Sequence, residues 1–171
     1  MATKIDDGKF DFDEFQVAEE GWHILRIKDP SAVLKDGGLK IKVLMRVEGG
    51  ASDGAGHFEN ASSKKNDGTD NPIGIQRINA LIVKSGAAKS GQFTNSTQFE
   101  TPKFVEQFGK MLTDRLIGAY LRPEPYQNKM STKALKYRTV KEVQEEMKKG
   151  SASSITGQTS EQPKAETEGW D

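Results

Sequence analysis

The chain contains no cysteine. Disulfides, thiolate zinc sites and cysteine nucleophiles are therefore excluded. It has two histidines, His23 and His57. That is too few for a histidine-rich metal centre and a poor basis for a Ser–His catalytic pair. No apolar run approaches the roughly 20 residues needed to span a bilayer. The stretch MATKIDDGKFDFDEF is acidic and lacks an apolar signal core, so secretion is not expected. Apolar residues fill only 34% of 171 positions, which allows a modest core. Net charge is missing too, since 25 basic residues balance 25 acidic ones.

That balance conceals an uneven distribution. Residues 1–20 carry two Lys and seven acids, and residues 151–171 carry one Lys and four acids. The body between them holds 22 basic and 14 acidic residues, a net of +8. The expected organisation is an acidic N-terminal arm over 1–20, one folded domain over 21–149 and a disordered acidic tail over 150–171. The tail is polar and rich in Ser, Thr, Gln and Gly, so it buries too little surface to offset its ordering entropy. In the arm, Phe10, Phe12 and Phe15 are read as rings that pin it to the body.

Within the body the pattern predicts mainly β structure with inserted helices. GWHILRI sets Trp22, Ile24 and Arg26 on one strand face, with Asp29-Pro30 and Asp36-Gly37-Gly38 as punctuation. LKIKVLMRV alternates cleanly, with Ile41, Val43, Met45 and Val47 on one face. Lys40, Lys42, Leu44 and Arg46 take the other. A short segment around GHFENAS follows, then a polar loop with Lys64 and Lys65. Asn71-Pro72 and Thr101-Pro102 are helix starts, because the first residue caps and Pro suits the first helical position. Ile75, Ile78, Leu81 and Ile82 form one apolar stripe, and Phe104, Val105, Phe108, Met111 and Leu112 another. Both are read as core packing. LIGAYLRPEPYQN and STKALKYRTV read as a final strand pair, with Pro123 and Pro125 marking an edge or bulge. A short helix, KEVQEEMKK, ends the domain at Gly150.

Enzymatic motifs are absent: there is no phosphate loop, HExxH, GxSxG or GxGxxG after a strand. The acids from Asp6 to Glu14 lack the glycine and terminal glutamate of a calcium loop. No catalytic residue, metal or cofactor is expected. The positive signal concerns binding. Lys40, Lys42 and Arg46 share a strand face. Lys129, Lys133, Lys136, Arg138 and Arg122 interleave with Tyr120, Tyr126 and Tyr137 on the last strand pair. Lys64 and Lys65 sit on a neighbouring loop. Single-stranded nucleic acid needs this combination, cations for phosphates and aromatic faces for bases. The plainer alternative is that the lysines solubilise a strand face and the tyrosines fill the core. In the tail, Glu166, Glu168, Trp170 and Asp171 make an acidic segment around an aromatic. It suits either docking on a partner protein or weak occupancy of the chain's own basic groove.

The order FDFDEF, GWHILRI, LKIKVLMRV, HFEN, NPIGIQRINALIVKSG, LIGAYLR and ALKYRTV resembles small phage proteins encoded beside recombination and replication genes. The tail is similar in kind to the acidic, aromatic-ended tails of bacterial and phage single-stranded DNA-binding proteins. The resemblance implies an OB-fold-like five-stranded Greek-key barrel that binds single-stranded DNA in the cytoplasm of a bacterial host cell. It further implies recruitment of replication or recombination proteins through the tail. Two other readings stay open: a phage-encoded protein-interaction module without nucleic-acid binding, and an RNA-binding OB domain. A homo-oligomer is compatible with the sequence.

Overall fold

A computed structural model describes residues 17–156. The expected Phe10, Phe12 and Phe15 contacts, and Glu166, Glu168, Trp170 and Asp171, lie outside the described residues. The elements run β1 (Gly21–Lys35), β2 (Gly38–Val47), β3 (Gly56–Ser62), α1 (Pro72–Lys84), α2 (Pro102–Leu112), β4 (Leu116–Tyr126), β5 (Lys129–Arg138) and α3 (Val140–Thr156). The five strands form one open antiparallel sheet in the order β3-β2-β1-β4-β5. Among the described residues no helix is long and apolar enough to cross a membrane.

The long first strand serves two partners in turn. Its first part, Gly21 to Arg26, pairs with β4, and its stretch from Leu25 to Lys35 pairs with β2. The register shifts between Ile27 and Asp29, so Lys28 is an extra residue that bends the strand. Asp29-Pro30 therefore does not end β1. Beyond Arg26 one edge of the strand carries no ladder partner, and a proline there costs no hydrogen bond on that side. The same reasoning covers Pro123 and Pro125. β1 accompanies β4 only to Leu121, so Arg122–Tyr126 is paired on the β5 side alone. The β4–β5 hairpin thus extends past the sheet as a two-stranded ribbon. It turns at Gln127 and Asn128, both at positive φ (48° and 66°), the backbone of a tight primed turn.

Both helix starts form as expected. Asn71 accepts a hydrogen bond from Gly74 N, and Thr101 from Phe104 N, with Pro first in each helix. α1 buries Ile78, Leu81 and Ile82; α2 buries Phe104, Phe108 and Leu112. These meet Leu25, Ile27, the Leu39–Val47 alternation of β2, and Ile117, Ala119 and Leu121 of β4. Phe93, Phe99, Phe104 and Phe108 stack into one aromatic group with centroids 5.1–5.9 Å apart. The final helix continues through Gly150 to Thr156, so the expected tail begins inside a helix. One interior glycine costs only about 1 kcal/mol, which a continuing helix tolerates.

At Gly74 the backbone of α1 packs directly against the end of β3. A Cβ there would lie 1.9 Å from Ser62 O and 2.8 Å from the Asn71 amide nitrogen. Ala for Gly normally stabilises a helix by roughly 0.5–1 kcal/mol. Here Gly74→Ala is expected to destabilise by about 2 kcal/mol, because a backbone oxygen must move. Urea unfolding checks the sign.

Candidate functional site

The sheet has two edges, β3 and β5, which approach each other without a backbone ladder. Side chains join them instead. On the inner face of β3, His57 and Glu59 are 2% and 6% exposed. His57 Nδ1 lies 2.8 Å from Thr132 Oγ1 on β5. The Tyr137 hydroxyl donates to Glu59 Oε1 at 2.6 Å, and Arg77 from α1 donates to the same oxygen at 2.7 Å. Arg77 also donates to Ala134 O on β5 at 2.8 Å. One helix and two edge strands are therefore tied by a single buried network. Burial holds the His57 imidazole down to about 4, with help from the Arg77 cation. Burial raises the Glu59 carboxyl above its usual range, and the Tyr137 and Arg77 bonds offset part of that rise.

Above this seam lies a cleft of about 770 Å³. Its walls carry Phe58, Asn60 and Lys42 on one side and Tyr126, Ser131 and Lys133 on the other. Phe58 is 50% exposed and Tyr126 63% exposed. The Lys42 ammonium stands 5.9 Å from the Phe58 ring centroid. A second cavity of about 670 Å³ adjoins it, lined by Lys40, Lys42, Asn60 and Arg77 with Val33 and Ile73. Ile73 is 73% exposed.

The structure brings together only part of the expected set. Lys40, Lys42, Tyr126 and Lys133 line these two cavities. Tyr120, Arg122 and Lys136 occupy the outward side of β4 and β5, where Tyr120 opposes Lys136 and Arg122 opposes Lys133. Tyr120 packs edge-on against Trp22 at 5.3 Å, and its hydroxyl donates to Glu20. Lys129 is exposed at the hairpin tip, and Lys65 is exposed on its loop. Arg46 lies apart from the cleft, half-buried, donating to Gly54 O in a hollow shared with Arg26 and Asp53.

One expectation is corrected, and two cations prove to be engaged within the fold. Tyr137 is not a stacking platform: it is 5% exposed and bonded to Glu59, and burial lifts its phenol well above the ordinary value. The cause is a bulge. The β4–β5 register steps from Tyr120↔Lys136 to Leu121↔Ala134, leaving Leu135 as an extra residue. Thr132, Ala134 and Tyr137 then point inward, and Leu135 outward. Lys64 is not a free loop cation. It bonds Asp70 at 2.6 Å and reaches Glu100 at 3.9 Å, and the Asp70 bond raises its pKa. Arg138 is half-buried and donates to Tyr137 O.

Phe58, Asn60 and Arg77 were not among the expected site residues. The alternation in HFEN carried a signal for the first two, since Phe58 and Asn60 must face opposite to His57 and Glu59. No protein-family model matches this chain, and no curated protein matches it significantly.

Proposed function

We propose that this chain is a sequence-tolerant single-stranded DNA-binding protein with an OB-fold-like architecture, serving phage replication or recombination. The observation that carries the reading is the cleft above the β3–β5 seam, where exposed Phe58 and Tyr126 stand beside Lys42 and Lys133. Exposed rings offer faces to bases of any sequence, and flanking ammonium groups follow the phosphates. An OB fold is a partly open Greek-key barrel that binds through the face of its second and third strands and through flanking loops. The strand order, the near meeting of β3 and β5, and the two helices between β3 and β4 support that assignment. In this reading the tail acids and Trp170 recruit replication or recombination proteins.

The test is a titration of labelled oligo-dT at two salt concentrations. With about four phosphate contacts, affinity should fall about 50-fold between about 50 mM and 200 mM salt, through counterion release. Phe58→Ala and Tyr126→Ala should each lose about 1–3 kcal/mol of binding. Absence of binding at the lower salt sinks the proposal and favours a protein-docking module.

A further inference from the structure

The two cavities beside the seam differ in charge while sharing three residues. Lys42, Asn60 and Arg77 line both. Among the described residues, the first cavity has Lys40, Lys42 and Arg77 in its lining and no acid. The second adds Lys133 but also Glu59 and Glu124 to the shared residues, together with the Phe58 and Tyr126 rings. A phosphate meets only cations in the first, whereas in the second the acids offset part of the cationic charge. A neutral base is the reverse: it gains from the rings and is indifferent to the acids.

The shared residues stand where a sugar–phosphate link would cross. Arg77 is held from behind by Glu59 and Ala134 O, at 2.7 and 2.8 Å. Those bonds use two of the guanidinium's five N–H groups. Its position is thus preset, so ordering it on binding costs little side-chain entropy. Lys42 lies between the acid-free cavity and the Phe58 ring. Asn60 adds an amide that both donates and accepts.

We infer that these cavities together hold one nucleotide unit, with its phosphate against Lys40, Lys42 and Arg77 and the adjoining base on Phe58 and Tyr126. The assignment rests on the DNA-binding reading and sharpens it: one phosphate is clamped, while the others are met loosely along the outward lysines. Arg77 then acts twice, as a seam tie and as a phosphate ligand.

The experiment uses the full chain and the shortest dT oligomer that retains full affinity, in which sliding loses contacts. Each phosphate is replaced in turn by a neutral methylphosphonate, and each base in turn by an abasic site. One phosphate should dominate, with about a tenfold loss, and the most costly abasic site should adjoin it. In Lys42→Met, a swap of similar bulk at an exposed position, the penalty at that phosphate should shrink to about twofold while the others stay unchanged. Uniform small losses, or dominant phosphate and base positions that are not neighbours, overturn the clamp while leaving DNA binding intact. Failure of the unmodified oligomer to bind overturns the functional reading itself, and the clamp with it.

Discussion

Arg77→Ala is expected to lower unfolding stability by about 3 kcal/mol, a large part of the margin of an ordinary domain. The reason lies in what remains. Glu59 is 7% exposed at its side chain, and removing Arg77 leaves its carboxylate buried beside Tyr137 without a cation. Ala134 O loses its donor as well. Arg77 itself belongs to no backbone ladder, and a mere surface contact would cost only a fraction of this. A double-mutant cycle with Glu59→Gln separates the cases. If the pair acts as a unit, the double variant is less destabilised than the sum of the singles. Additive losses in urea unfolding would refute the seam tie.

Acid should weaken the same seam through His57. Its folded value is about 4, against an ordinary 6.5. Between those values the unfolded chain binds a proton that the folded chain refuses, so stability falls as pH falls. The contribution is fully present above pH 6.5 and is lost by about pH 4, amounting to about 3 kcal/mol. Glu59 works in the opposite sense. Its carboxyl is raised by burial, so its protonation during acidification favours the fold and masks part of the loss. The clean measurement is the stability difference between the natural chain and His57→Gln as a function of pH. It should be flat above pH 6.5 and shift by about 3 kcal/mol on descending to about 4. A flat difference throughout would mean that His57 is not buried in its neutral form.

Much of the fold was legible because its signals are local. Asn71-Pro72 and Thr101-Pro102 start helices through contacts made within one turn. The β2 alternation sorts itself, since Ile41, Val43, Met45 and Val47 are buried while Lys40 and Lys42 are exposed. What was not legible depends on partners remote in the chain. Asp29-Pro30 read as punctuation, yet β1 runs on through it where β4 has already departed, and Pro123 and Pro125 lie at the expected edge without ending β4. The Leu135 bulge is invisible to a period of two, and it turned an expected stacking tyrosine into a core residue. Lys64 looked like any loop lysine until Asp70 and Glu100 were placed beside it. Arg77 sat on a helix read only for its apolar stripe, with no nearby acid to suggest Glu59 as its partner.

The two-sided pairing of β1 also sets an order of events during synthesis. Lys35 meets Gly38 three residues later, whereas Gly21 must wait for Leu121. A nascent chain can assemble the β1–β2–β3 meander early, but one edge of β1 stays bare until β4 leaves the ribosome. At roughly 5–20 residues per second that interval lasts seconds. Through it, the outward Trp22 edge and the unfilled inner face of Leu25 and Ile27 are open to other chains. Contacts of such long sequence separation slow the final docking further. The strand that organises the finished sheet is therefore the one most dependent on prompt completion of the chain.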